Sequence, residues 1–592
     1  LQESYTHLVV YTASTLAEQT TPKSIIIEQI VATPYNLHVL DRDLDLGDIG
    51  GLVYWMPPGG LLADRVMHYN IYIAADAAGS LRSQVGNSIP FGTNGVNLPA
   101  DIFLGGRTHV VIYSCSSVAE QTTPGALEVV DEFAYADDIR FLDLDLDEND
   151  FGGTVTWSPP ADITWVTHYN VYFAQNETVG RSQVESAFPV GTNSIFAEPE
   201  AHGYEAVAVF TQSRLTEQTT PAKIVCSDSI ARATAVDFED DDLDLGEIGG
   251  PVTWTPQGDV DMVMYYWIYI AAQADGTGRS LIGSMIKGSN EFTIPTEISL
   301  EPYQYVLVYT RSSLVEQTTP GAVAINDTES LVVDIAFPDQ DLDSNELGGQ
   351  ITWELPPNNT RVVGYIIYLA ATAAGAYRSQ VDSPLDVGTN EISVLAETRL
   401  SGHQYIVVYA RSALAEQTTP APKQLSDTAA TVADLFFVDL DLDGLDLGGP
   451  VTWTVSADES LVTGYFLYFS KGGHAGAVRT FVNGPHPPGS NQTDLYDVPH
   501  FGFSHVVLFA SSSLAEQTTP APYSIHDTVA SVTAVAFPDL DLDLGDLGGT
   551  VTWSPPASTY QVQNYEVYLA ESSAGLGRSH VGSLVLGTNT VA

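Results

Sequence analysis

An internal period of about one hundred residues constrains this chain more than any other feature. Six tryptophans, Trp55, Trp157, Trp254, Trp353, Trp453 and Trp553, stand 97 to 102 residues apart, each in the same local phrase. A stretch of that length can bury one small core. The period therefore reads as tandem domains, each one copy of a single supersecondary plan.

The last copy shows the plan plainly. Thr533 to Phe537 alternates larger and smaller side chains and predicts a first strand. An aspartate-rich phrase and Gly548-Gly549 make a corner, Thr550 to Trp553 is a second strand, and Pro555-Pro556 turns the chain. Val562 to Leu569 is a third strand, with Tyr565 and Tyr568 three apart, and short strands near Arg578-Ser579 and Val585 precede a Gly-Thr-Asn turn. Other copies continue into a strand such as Tyr405 to Tyr409, a long Glu-Gln-Thr-Thr-Pro loop and a closing strand. Short strands, frequent turn signals and no helical periodicity predict an all-β chain. The expected fold is a tandem array of seven-stranded antiparallel β-sandwiches of about 100 residues each.

The order Val-x-Trp-x-Pro-Pro, then paired tyrosines, then Tyr-x-h-Val-h-Tyr (h, apolar) resembles the fibronectin type III domain, a relative of the immunoglobulin folds. The resemblance runs over nearly the whole chain. The third and fifth copies depart from it, with Thr255-Pro256-Gln257 and Thr454-Val455-Ser456 where the double proline would stand, and the long loop is unusual for the family. It implies that each tryptophan lies on the second strand between the sheets and that the tyrosine-bearing strands form the opposite sheet. Sandwich boundaries then fall at 31–131, 132–229, 230–328, 329–428 and 429–527, with a hairpin segment at 1–30 and an incomplete sandwich at 528–592.

Those two end segments are complementary. The phrase that closes five repeats, at Pro124, Pro221, Pro320, Pro420 and Pro520, also occupies residues 1–22, and the repeat at 528–592 lacks it. The expectation is a head-to-tail homopolymer of donor-strand type. Leu8, Val9, Val10 and Tyr11 of one copy would complete the sandwich of another, filling the core beneath Trp553, with Glu18 meeting Arg578. Such a heterologous contact need not close and would generate an open filament. Alternatives stay open: a window of one longer covalent array, or a surface adhesin or carbohydrate-binding stalk. For a stalk, the Lys471 to His474 and Gly484 to Pro488 loops of the fifth copy come nearest to a binding tip. The missing initiator methionine and leader fit a processed chain or such a window.

Net charge is −53, with 21 basic residues against 74 acidic ones, which argues against nucleic acids and anionic membranes as partners. No apolar run is long enough to span a bilayer. Cys115 and Cys226 fall in different repeats, so no disulfide framework is expected. Sequons at Asn176, Asn326, Asn358 and Asn491 point to a glycosylated, extracellular or cell-surface protein.

About a third of the acid lies in one recurring phrase, which sets the chain apart from a protein tuned to high salt by evenly spread charge. Its members are Asp41, Asp43, Asp45 and Asp48; Asp143, Asp145, Asp147 and Asp150; Asp240, Asp242, Asp244 and Glu247; Asp339, Asp341, Asp343 and Glu346; Asp439, Asp441, Asp443 and Asp446; and Asp539, Asp541, Asp543 and Asp546. Alternate residues share a face, about 7 Å apart in a straight strand, so a single site needs the chain to turn. Calcium, which takes six to eight oxygens, is the expected cofactor, bridging this corner to the carboxylate after the last strand (Asp131, Asp228, Asp327, Asp427, Asp527). One arginine per copy, Arg82, Arg181, Arg279, Arg378, Arg479 and Arg578, is expected to pair with the Glu of the long loop. Scattered histidines and the absence of HExxH, P-loop, dinucleotide or CxxC motifs give no catalytic constellation, and no enzyme is expected.

Overall fold

The computed structural model describes residues 4–59, 64–175 and 180–592, so the sequon at Asn176 lies outside the described residues. No α-helix occurs among them, and no helix is long and apolar enough to cross a membrane. The chain forms two compact bodies: Leu1–Phe238, Val252–Phe292 and Pro302–Ile325; and Glu239–Pro251, Thr293–Glu301 and Asn326–Ala592.

A free hairpin comes first, β1 (His7–Val10) antiparallel to β2 (Lys23–Ile26). The first repeat follows with β3 (Tyr35–Asp41), β4 (Asp48–Met56), β5 (His68–Ala74), β6 (Ser83–Gln84), β7 (Ile89–Pro90), β8 (Gly95–Phe103), β9 (His109–Cys115) and β10 (Gly125–Glu128). One sheet has the order β3-β4-β8, and the other β10-β9-β5-β6 with β7 also on β5. This is the two-sheet order expected of a fibronectin III-like sandwich, and the same pair of sheets recurs through the four repeats of 132–527.

Period-two alternation places the core. Val53 and Trp55 on β4, Tyr69 and Ile71 on β5, and Val110 and Ile112 on β9 meet between the sheets. Trp55 packs edge-on against Tyr69 at 5.2 Å, and Trp353 against Tyr365 at 5.6 Å. The intervening residues of β9, Val111 and Tyr113, are also buried, on the outer face. The chain is thus a tandem array of small antiparallel β-sandwiches, as expected.

The repeat at 528–592 forms only Thr533–Ala536, Val551–Ser554 and Thr590–Val591 in one sheet, and Asn564–Leu569 with Ser579–Val585 in the other. The strand Asn564–Leu569, whose counterpart β5 is flanked on both sides, here keeps one edge unpaired among the described residues.

Candidate functional site

The aspartate corner is where each repeat is tied together. In the first repeat Asp41 Oδ1 accepts the N–H groups of Asp43 and Gly50 at 3.1 and 3.0 Å, and Oδ2 accepts that of Glu132, opening the next repeat, at 3.0 Å. Asp43 Oδ1 accepts from Asp45 N–H and Oδ2 from Asp101 N–H, the latter at 2.7 Å. Asp131, beyond the last strand, accepts the Gly47 N–H at 2.9 Å. The alternation Asp-x-Asp-x-Asp therefore points carboxylates at backbone donors from separate segments, which is how acid can be buried without basic partners. Burial nonetheless pushes Asp41 up to about 7 and Asp143, Asp240 and Asp339 up to about 6, against the pull of those N–H donors. Corner and linker meet through the Asp131–Gly47 and Asp41–Glu132 hydrogen bonds.

The third aspartate reaches across to the next repeat. Asp45 accepts the N–H groups of Thr219 and Thr220 at 2.7 and 2.9 Å, and Asp147 that of Thr318 at 2.7 Å. Asp244 takes Thr418 and Thr419, and Asp343 takes Thr518 and Thr519, at 2.6 to 3.0 Å. The glutamine of the same loop donates to the carbonyl before that aspartate: Gln218 to Leu44, Gln417 to Leu243 and Gln517 to Leu342. The leucine itself enters the core of the following repeat, as Leu44, Leu243, Leu342 and Leu442 all do. A bare Gly makes room for the loop: a Cβ on Gly348 would stand 2.5 Å from Leu514 Cδ2 and 3.0 Å from the Ala396 backbone. Sequence reasoning assigned the long loop to its own domain and missed this clasp. The leucine's recurrence in all six copies was the available signal.

The arginine expectation holds in five repeats. Arg82, Arg181, Arg279, Arg378 and Arg479 contact Glu120, Glu217, Glu316, Glu416 and Glu516 at 2.5 to 2.8 Å. Each guanidinium also lies between two rings, as Arg82 does between Tyr72 and Tyr113 at 4.5 and 4.1 Å. Among the described residues, Arg578 lies over one ring, Tyr568, at 4.7 Å.

Among the described residues, three groups of carboxylates could hold a hard cation: Asp43, Asp45 and Asp101; Asp242, Asp244, Glu247 and Glu297; and Asp341, Asp343, Glu346 and Glu397, their ligand atoms within 4.8 Å of one another. The first aspartate of each phrase is outside these groups. The acid on the facing strand (Asp101, Glu297, Glu397) belongs to them, and the sequence reading did not include it. Burial and the facing Glu247 and Glu346 push Glu297 and Glu397 up to about 7.

Two surfaces stand open. On the hairpin, Leu8 and Val10 are 59% and 63% exposed, whereas Val110 and Ile112 at the same positions of β9 are fully buried. In the repeat at 528–592 an apolar groove of about 790 Å³ is lined by Leu442, Val535, Val551, Trp553, Tyr565 and Val567, among others. Asn326, Asn358 and Asn491 are exposed.

No family model matches the sequence, and no curated protein matches it. Solved structures do. A two-domain fibronectin type III segment from chicken tenascin is 13% identical, covering 32% of this chain and 98% of its own, with a TM-score of 0.15. The FN1–FN3 domains of chicken CNTN1 are 14% identical over 50% of this chain and 98% of theirs, TM-score 0.19. The N-terminal eight Ig domains of Down Syndrome Cell Adhesion Molecule are 10% identical over 95% of this chain and 82% of theirs, TM-score 0.20.

Proposed function

We propose that this chain is a non-enzymatic structural protein of the extracellular space, whose copies join head to tail into an open filament by strand completion. The observation that carries this reading is a matched pair of surfaces. The hairpin pairs His7 with Ile26 and Val10 with Lys23, the register in which β9 pairs His109 with Glu128 and Ile112 with Gly125. The repeat at 528–592 holds the groove that such a hairpin fills elsewhere.

By the register of β5 on β9, in which Ile71 faces Ile112, Val10 of one copy would face Val567 of another and Leu8 would face Leu569. Burying such aliphatic side chains is worth about 1.5–3 kcal/mol each. Glu18 would meet Arg578 and the Tyr568 hydroxyl, and Tyr11 would cover the open face of that guanidinium. Thr20 and Thr21 would bring their N–H groups to Asp443, the fifth repeat's exposed counterpart of Asp343. An uncovered strand edge beside apolar surface is otherwise an aggregation hazard.

The same reading places calcium at the four-carboxylate groups, where a dication relieves the repulsion that a proton otherwise relieves, and glycans at the exposed sequons. The test is sedimentation and electron microscopy of the 592-residue chain with and without Leu1–Pro22. Filaments from the intact chain alone support strand completion. A chain that stays monomeric overturns it and leaves the array to be continued by covalent neighbours.

A further inference from the structure

We infer that the corner of the sixth repeat is a plug for the first repeat of a second copy, with Leu542 entering a preformed slot and Asp543 accepting the N–H groups of Thr122 and Thr123. The inference rests on the strand-completion reading, because a hairpin seated in one copy's open sandwich carries its own first repeat to the position that follows the sixth.

The plug is a repeated device. Leu44, Leu146, Leu243 and Leu342 are almost fully buried, and Leu442 is half-buried. Each leucine carbonyl accepts an N–H from the start of the following repeat: Ala134 to Leu44, Ala231 to Leu146, Ser330 to Leu243, Ala430 to Leu342 and Ala530 to Leu442, at 3.1 to 3.3 Å. The sixth leucine, Leu542, is 98% exposed, held in water between two carboxylates. Nothing in its own repeat requires an apolar residue there.

The matching receptor is open in the first repeat. A slot of about 330 Å³ is lined by Ile30, Ala32, Val66, Cys115 and Gln121, among others. Ala32 and Val66 are the counterparts of Ala430 and Val462, which share a core with Leu342, and of Ala530 and Val562, which share one with Leu442. Gln121 stands where Gln517 reaches the Leu342 carbonyl. Plug and slot thus carry the two halves of a contact whose leucine-carbonyl bond is made at all five inner boundaries and whose glutamine bond is made by Gln218, Gln417 and Gln517. The occupant of the slot is a second copy of this chain, with Ala32 N–H on the Leu542 carbonyl and Gln121 Nε2 beside it.

The test compares assembly of the 592-residue chain with that of Leu542→Asp, Leu544→Asp and Ala32→Phe, by sedimentation across a concentration series. Leu544 is as exposed as Leu542, but its counterparts Leu46 and Leu245 stay exposed within the chain, so it serves as the control. Folding of each variant is checked by circular dichroism and melting, which the two substitutions at exposed leucines should leave unchanged, and Ala32→Phe, at a half-buried position, is read only if its melting matches the parent's. Leu542→Asp, and Ala32→Phe by filling the slot, should raise the concentration needed for assembly about tenfold or more, while Leu544→Asp assembles like the parent. Assembly of Leu542→Asp at the parent's concentration overturns the plug and leaves strand completion standing. A parent that does not assemble overturns both.

Discussion

Asp343 and Thr518, 175 residues apart, are joined by a hydrogen bond of 2.6 Å from the threonine backbone N–H to carboxylate Oδ2. Thr519 N–H fills Oδ1 at 3.0 Å. One carboxylate therefore satisfies two backbone donors of a loop in the next repeat. The prediction is local. Asp343→Ala leaves both donors without their acceptor, at about 2 kcal/mol. Amide exchange of Thr518 and Thr519 should accelerate roughly thirtyfold, with the Trp453 core unaffected. Unchanged exchange would mean the loop is held by other contacts.

The first aspartates predict the pH dependence. Burial raises the folded-state values of Asp41, Asp143, Asp240 and Asp339 to about 6 to 7, above about 3.9 for an unfolded aspartate. The folded chain thus takes up protons first, and each group contributes stability below its folded pKa that is lost as pH rises through it. In chelator-containing buffer the melting temperature should rise between pH 8 and pH 5. A melting temperature that falls over that window would show that the N–H donors outweigh burial.

Arg378 separates packing from assembly. Its ion pair with Glu416 is about one-third exposed on the arginine side, so solvent screening limits its worth, and stacking between Tyr368 and Tyr409 adds to it. Arg378→Ala should cost about 1 kcal/mol in local unfolding. Arg578→Ala, which loses only stacking on Tyr568 within its own repeat, should lower the unassembled chain's melting less than Arg378→Ala does and should weaken assembly, because strand completion would give it Glu18 of another copy as its carboxylate partner. Equal effects of the two substitutions on the monomer would argue against that pairing.

Calcium has its own check. With the ion at the four-carboxylate groups, millimolar calcium should raise the melting temperature at neutral pH, chelation should reverse it, and Glu297→Gln with Glu397→Gln should blunt it. A melting curve indifferent to calcium and chelator would leave the corners to hydrogen bonds alone.

Period and alternation carried the fold a long way. Trp55, Tyr69, Val110 and Ile112 sit in one core because residues two apart share a face, and six copies of one phrase made that pattern legible. The Arg–Glu pair was legible for a related reason: a scarce cation recurring beside a recurring acid has few other partners. The clasp was not. Thr518 on Asp343 and Leu342 in the next core are contacts between repeats, and a period read one copy at a time assigns every residue to its own domain. The acidic groups were half legible, because Glu297 and Glu397 lie outside the aspartate phrase and reach it only when the facing strand folds over.

Strand completion is tested most directly at the edge it would cover. Amide exchange of Asn564–Leu569 should be followed in the intact chain across its assembly range and in the chain lacking Leu1–Pro22. These amides should become protected as the intact chain assembles and stay unprotected without the hairpin. Assembly that leaves them exchanging freely, or equal protection in both chains, would contradict it.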